Sequence, residues 1–486
     1  MTGGKHIHLI GICGTAMAAL AGMLRQRGHR VSGSDAAAYP PMSDFLAKLE
    51  IPVMQPFAAG NLNPRPELVV VGNAISRGNV ELEQVLDEGI PFCSLPQILH
   101  DEFLRGKEVL VVAGTHGKTT TTSMLAWIFH SAGLQPSFLI GGIAENFGSS
   151  FQLGEGKHFI LEGDEYDTAF FDKGPKFLHY FPDAVILTSV EFDHADIYKD
   201  LEGVETAFKR LVNLVPRRGR IVAFDAGESL ERCLARAFCP VERYGAGSRA
   251  EWRIANLRLE PGQTTWTIVH KGTEWMDCEF AVAGEYNVWN ATAAAALAAG
   301  CGVPKEAIRA ALKSFKSVKR RLEVRAEVGG VTVIDDFAHH PTAIAGTLTA
   351  LRARYPGSRL WVILEPRSNT LRRNVLQREL AKSLALADEA VVAEVFKAEA
   401  IPEAERLDLQ EVARDVEKQG RRARIVATAD GIVELVVPEV RRGDVVAILS
   451  NGGFGGIYEK LPARLKALME SGNTASSALM EAKAKA

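Results

Sequence analysis

Glu108-Val109-Leu110-Val111-Val112-Ala113-Gly114-Thr115-His116-Gly117-Lys118-Thr119-Thr120 decides how this chain of 486 residues is read. An apolar strand runs directly into a Gly-Thr-His-Gly-Lys-Thr-Thr turn, and helical periodicity resumes from Thr121 to His130. A phosphate-binding loop requires this context. Glycines let backbone N–H groups curl around phosphate oxygens, and the helix N-terminus adds partial positive charge. Lys118 is expected to reach the β/γ-phosphates of ATP, and the Thr119 hydroxyl to ligate Mg²⁺. Val112 stands where the common form of the motif has its first glycine. The loop as a whole, Gly114, Thr115, His116, Gly117, Lys118, Thr119 and Thr120, is the expected ATP-binding element.

Outward from the loop the pattern repeats. On the N-terminal side, apolar runs at residues 6–10, 30–32, 68–71 and 91–93 alternate with helical segments. After the loop come strands at 158–161, 184–187 and 220–223, then hairpin-like alternation from Trp252 to Ala283 and an Ala-rich helix from Asn290 to Ala299. Runs at 331–334, 360–364, 390–392, 424–426 and 444–449 form a last set. Strand–helix alternation implies mainly parallel sheets, so the expected class is α/β in three domains. These are a Rossmann-like N-terminal domain (1–106), a central P-loop ATPase domain carrying a small antiparallel sheet (107–318) and a Rossmann-like C-terminal domain (319–470). The small, polar stretch 471–486 is expected to be disordered.

Composition narrows the class of function. The chain is 47% hydrophobic and 24% charged, with a formal net charge of −3. That balance gives no global reason to bind nucleic acid or an anionic membrane. No apolar run reaches transmembrane length, and residues 1–9 lack the pattern of a signal peptide. The six cysteines show no metal-ligand spacing and read as thiols of a reducing compartment, so the expected address is cytoplasmic.

Three weaker signals surround the loop. Gly11-Ile12-Cys13-Gly14-Thr15-Ala16 resembles a dinucleotide turn with Asp35 at ribose distance, but Cys13 and Ala16 replace two of its glycines. A Cβ at Cys13 crowds a pyrophosphate path, which counts against NAD. The helix start could hold another nucleotide's diphosphate, or the turn could be structural only. Glu162-Gly163-Asp164-Glu165-Tyr166-Asp167 and Glu191-Phe192-Asp193-His194 each follow a buried strand. Both could face the phosphate loop, because ligands of open α/β sheets gather beyond strand carboxyl ends. On spacing alone they read equally well as solvated surface loops.

Taken together these segments resemble the Mur ligases over about residues 5–470. The resemblance rests on the phosphate loop, the two acidic segments, Gly284-Glu-Tyr-Asn-Val-Trp-Asn290, Lys319-Arg-Arg-Leu-Glu323 and Asp335-Asp-Phe-Ala-His-His-Pro341. It implies an ATP- and Mg²⁺-dependent ligase working through an acyl-phosphate. By resemblance, Thr119, Glu162 and His194 are the metal ligands, and Lys118, Glu162, His194 and Arg321 carry catalysis. Asn287, Asn290, Arg321 and Asp336 complete the ATP site. Gly14, Thr15, Ala16, Met17, Asp35, Asn73 and Ser76 hold a UDP-sugar. Lys209, near the place of a carbamylated lysine in other branches, reads as a helix-surface residue.

The Asp-Asp-Phe-x-His-His-Pro segment resembles the branch that accepts UDP-N-acetylmuramate itself. Glu365-Pro-Arg-Ser-Asn-Thr370 and Ser450-Asn-Gly-Gly-Phe-Gly-Gly456 resemble its recycling members, which add L-alanyl-γ-D-glutamyl-meso-diaminopimelate, rather than its L-alanine-adding members. His339, Arg367, Asn369 and Asn451 are then the expected peptide contacts. His339 and His340 also read as a plain helix entry. The expected oligomeric state is a monomer or weak oligomer, with residues 316–321 as a hinge. The L-alanine-adding ligase of the same branch, a folylpolyglutamate-type ligase and a P-loop switch without ligase activity are the rival readings.

Overall fold

The structure, a computed structural model, describes residues 4–38 and 42–484, with side chains described as far as Glu470. Three open α/β sheets succeed one another along it. The first holds Val53–Met54, Arg30–Ser34, His6–Ile10, Leu68–Val71 and Phe92–Ser94 in that spatial order, all parallel. Strand order reverses at His6–Ile10, so the turn 11–14 that follows it lies at the sheet's switch point. Helix Thr15–Gln26 starts there.

The central sheet has ten strands. Glu108–Ala113 lies in its interior, flanked by Ala184–Leu187 on one side and His158–Gly163 on the other. Residues 109–113 are buried, as a parallel strand covered on both faces must be. The antiparallel hairpins Trp252–Glu260, Gln263–His270 and Thr273–Phe280 are attached to the parallel strands. Tyr244 and Gly245 pair in parallel with Trp252 and Arg253, which makes the hairpins one end of the same sheet. The third sheet runs Glu323–Val328, Val331–Asp336, Val445–Leu449, Leu360–Leu364, Glu389–Ala393, Arg422–Val426. Its first strand returns on the second through Gly329 and Gly330, both at positive φ (60° and 80°), a conformation that two-residue hairpin turns demand.

The domains touch through specific contacts. Helix Thr15–Gln26 presents Gly22 to Phe151 of the central domain; a Cβ there would come within 2.7 Å of the ring. Between the second and third domains, Val318 bridges to Ala144, Glu145 N donates to Ser317 O at 3.1 Å, and Lys319 N to Ile143 O at 3.0 Å. The first half of the expected hinge is thus stitched to the central domain. The chain then turns sharply, with Arg320 and Leu322 at φ 62° and 49°. The last helix runs Ile457–Ala484, and the side chains of the expected tail, 471–486, lie outside the described residues.

Candidate active site

Gly114 and Gly117 shape the loop. Gly114 has φ +135° and a Cβ there would lie 2.1 Å from Thr188 Oγ1; Gly117 has φ +79° and a Cβ would lie 2.6 Å from Asn290 Oδ1. Helix Lys118–Ser131 begins immediately afterwards with Gly117 as its N-cap and no side chain capping it. Thr115 N donates to Ser189 O at 3.0 Å and His116 N to Ser189 Oγ at 3.1 Å. Those two amides therefore brace the loop. The amides at the helix start have no intrahelical acceptors and are open to an anion.

Strand order brings the acidic segments to this point. Glu162 pairs in register with Val112, and Leu187 with Ala113, on opposite sides of the loop strand. The Thr119 hydroxyl donates to Glu162 Oε1 at 2.8 Å, and Gly141 N donates to its Oε2 at 2.7 Å. Burial, with Asp164 nearby, raises the Glu162 pKa despite Lys118. His194, at φ 55°, reaches the loop through Glu165: its Nε2 lies 3.2 Å from Glu165 Oε1. Lys118 Nζ donates to both Glu165 oxygens, at 3.0 and 2.8 Å, and to Gly114 O at 2.8 Å. Burial opposes charge on Lys118 and His194, but Glu165 outweighs it and raises both pKa values. Burial likewise opposes the Glu165 charge, and Lys118 and His194 together hold its pKa down.

Glu165 is the residue the sequence reading missed. It sat inside a quoted segment, but nothing in its spacing shows that it faces Lys118 across the turn.

The third domain closes over the loop. Arg321 Nη2 donates to Thr119 Oγ1 at 3.3 Å, while its guanidinium rests 5.1 Å from the Phe337 ring centroid. Asn287 Nδ2 donates to Ala283 O at 2.7 Å, and Asn290 Nδ2 to Asn287 Oδ1 at 3.3 Å; both lie on helix Glu285–Gly300. Asp336 is tied within its own domain. Its oxygens accept from Leu322 N (2.8 Å), Ala338 N (2.9 Å) and Thr347 Oγ1 (3.1 Å) in a buried setting. It thus secures the segment carrying Arg321.

Thr370, also unforeseen, donates to Asp193 Oδ1 at 2.6 Å and accepts from Ala195 N at 3.2 Å. The loop carrying Arg367 and Asn369 is thereby clamped to the loop carrying His194. A second clasp joins His116, Glu191 and His340, with His116 Nε2 3.4 Å and His340 Nδ1 3.9 Å from Glu191 Oε2. Thr342 Oγ1 donates to the same oxygen at 2.7 Å. His340 Nδ1 caps helix Pro341–Arg354 by accepting from Thr342 N at 3.3 Å, so this histidine is the helix entry.

A cavity of about 410 Å³ opens beside these clasps, lined from all three domains by Asn73, His194, His339, Arg367, Asn369 and Asn451 among others. His339 Nδ1 lies 2.8 Å from Phe337 O. A carbonyl only accepts, so Nδ1 carries a proton, and in the neutral ring Nε2 is then the acceptor. Asn451 Oδ1 is buried without a partner. Arg367 stacks 3.9 Å above the Phe396 ring.

In the first domain, Gly14 is the N-cap of helix Thr15–Gln26 with no side chain capping it, leaving the amides at Thr15, Ala16 and Met17 for an anion. Asp35 Oδ2 accepts from Cys13 N at 2.9 Å and so shapes the turn. Ser76 contributes its carbonyl to Asn79 N at 3.2 Å. Lys209 pairs with Glu205 at 3.3 Å, on the helix face that also meets Arg232.

Known proteins share this arrangement. The Mur ligase middle domain matches residues 112–298, the Mur ligase family catalytic domain 6–105, and the Mur ligase glutamate ligase domain 320–452. The UDP-N-acetylmuramate–L-alanyl-γ-D-glutamyl-meso-2,6-diaminoheptandioate ligase of Escherichia coli is 44% identical over 94% of this chain and 97% of its own length. The chain belongs to the Mur ligase family. The UDP-N-acetylmuramate–L-alanine ligase of Desulfitobacterium hafniense is 32% identical to this Mur ligase, over 93% of this chain and 98% of its own. The crystal structure of a murein peptide ligase from Psychrobacter arcticus superposes on it with a TM-score of 0.74 at 38% identity, covering 95% of this chain and 99% of that one.

The residues fit a metal-bound triphosphate. A raised Glu162 pKa beside a threonine hydroxyl favours an added cation, and the open helix start with its Cβ-free glycines leaves room for phosphate oxygens. Among the described residues, no helix is long and apolar enough to cross a membrane.

Proposed function

We propose that this Mur ligase uses ATP to join L-alanyl-γ-D-glutamyl-meso-diaminopimelate to the lactyl carboxylate of UDP-N-acetylmuramate in peptidoglycan recycling, in the cytoplasm. One observation carries the reading. A single cavity, bounded by all three domains, has the metal-loop residue His194 on one wall and the cationic Arg367 with amides Asn369 and Asn451 on another. An acceptor with several carboxylates suits that lining better than a lone amino acid. The 44% identity to the Escherichia coli enzyme of that name supports it.

The lactyl carboxylate attacks the γ-phosphorus, ADP leaves, and the peptide's amine then displaces phosphate from the acyl phosphate. Lys118 moves from Glu165 onto the β/γ-phosphates, and the amides at the start of helix Lys118–Ser131 hold the oxygens in line. Thr119, Glu162 and His194 would hold Mg²⁺, which when bound neutralises charge on the transferring group. Arg321 adds a planar guanidinium on the third-domain side. The attacking amine must be neutral, and burial lowers the His339 pKa despite Asp193, keeping that imidazole a proton acceptor. The diphosphate of the sugar nucleotide sits at the amides of residues 14–17.

Mass spectrometry of products, with phosphate release, tests this. ATP, Mg²⁺ and UDP-N-acetylmuramate with the tripeptide should give a UDP-muramoyl tripeptide. Product with L-alanine and none with tripeptide would assign the chain to the alanine-adding branch. Slow ATP turnover indifferent to both would make it a nucleotide switch.

A further inference from the structure

The charges on the cavity wall are unevenly matched. Its carboxylates are engaged: Asp193 by Thr370 and its neighbouring amide, Asp196 by Asn369 Nδ2 at 2.6 Å, and Asp167 by Lys173 at 2.8 Å. Arg367 has Glu365 at 3.4 Å. Two cations remain. Arg372 donates only to neutral oxygens, Phe396 O at 3.2 Å and Asn369 Oδ1, and its Nε is buried without a partner. The exposed Lys397 lies in the left-handed region at φ 48°. Among the described residues, no carboxylate lies within salt-bridge distance (4 Å) of either. Arg373, next in sequence but outside the cavity lining, has Glu405 at 3.4 Å.

We propose that Arg372 and Lys397 bind the carboxylates of the residue following γ-D-glutamate, and so set this enzyme's preference for the tripeptide over shorter acceptors. This rests on the peptide-ligating function proposed above. The two side chains lie in the loops that follow the adjacent strands Leu360–Leu364 and Glu389–Ala393. Their loops are tied together by Phe396 N to Pro366 O at 3.1 Å and by the Arg372 contact to Phe396 O. They therefore present a guanidinium and an ammonium as one unit, facing a cavity whose acidic groups already have partners. Burial, with Arg373 and Arg367 nearby, disfavours charge on Arg372 despite the more distant carboxylates of Asp196 and Glu399; an incoming carboxylate in direct contact relieves that. Diaminopimelate brings two carboxylates beyond the γ-glutamyl amide, whereas L-alanyl-D-glutamate ends at its own γ-carboxylate, short of that position.

The test compares L-alanyl-γ-D-glutamyl-meso-diaminopimelate with L-alanyl-D-glutamate, as substrates or competitive inhibitors, on the full chain and on Arg372→Gln, Lys397→Gln and the double variant. The readout is the ratio of the two peptides' KM or Ki values, which loss of folded enzyme does not move. Charge-assisted hydrogen bonds of this type correspond to about a tenfold change or more in that ratio for Arg372→Gln, and more for the double variant. Arg372→Lys should recover part of it. A ratio unchanged in the double variant, with the unmodified enzyme still ligating tripeptide, overturns the clamp alone. Failure of the unmodified enzyme to ligate tripeptide overturns the functional reading and the clamp with it.

Discussion

Glu165→Gln separates two roles that the resting structure superimposes. Glu165 is 2% exposed and Lys118 12%, and they meet through two contacts of 3.0 and 2.8 Å. Removing one charge of a buried pair typically costs about 3–5 kcal/mol, because the other is left without compensation. Glutamine keeps an acceptor for Lys118, so a loss of about 2–3 kcal/mol is expected here. At roughly 2–4 °C per kcal/mol for a domain of this size, the nucleotide-free protein should melt roughly 5–10 °C lower. The account requires Lys118 to leave Glu165 for the phosphates, so the variant no longer breaks that pair on binding. Its affinity for ADP in EDTA should rise by about tenfold or more. Thermal melting of the nucleotide-free protein and isothermal titration of ADP measure the two halves. A lower melting temperature accompanied by weaker ADP binding would refute the reasoning, because Glu165 would then serve the bound state.

Lys118→Ala should lower single-turnover phosphate release at least about a hundredfold while leaving calorimetric binding of UDP-N-acetylmuramate intact, the sugar nucleotide being held by another domain. Thr370→Val keeps shape but removes the donor to Asp193 and the acceptor for Ala195 N, a loss of about 1–3 kcal/mol. Phosphate release titrated with Mg²⁺ should then need more metal for half-maximal rate. His340→Asn keeps an N-cap acceptor and removes a titrating group. Burial and His116 lower the His340 pKa to about 4 from 6.5. The unfolded chain therefore takes up the proton first, and this histidine's contribution, present above pH 6.5, is lost as pH falls towards 4. Melting curves of the two proteins should shift in favour of the variant by about 2 kcal/mol between pH 7 and 4.5.

The phosphate loop was legible because its glycines, lysine and threonines are adjacent in sequence and sit at a strand–helix junction. Glu162 and His194 needed the family resemblance. Their convergence depends on Ala184–Leu187 and His158–Gly163 flanking the loop strand, a spatial order that runs against chain order and leaves no trace in local spacing. Glu165 and Thr370 act through partners 47 and 177 residues away, and no local pattern announces such pairs. Asp336 was marked by the resemblance alone, and the three donors within its own domain that engage its carboxylate left no sign in the sequence. The hairpins from Trp252 to Phe280 were read correctly as hairpins, yet their fusion to the parallel sheet rests on two backbone pairings at Tyr244 and Gly245.

The most direct measurement is anomalous diffraction from crystals grown with Mn²⁺ and a non-hydrolysable ATP analogue. The account predicts a manganese peak in contact with Thr119 Oγ1, a Glu162 oxygen and a nitrogen of His194, with Lys118 moved from Glu165 to the analogue's phosphates. Manganese and phosphates seated in the loop, with Glu162 and His194 both outside the metal's coordination sphere, would contradict it.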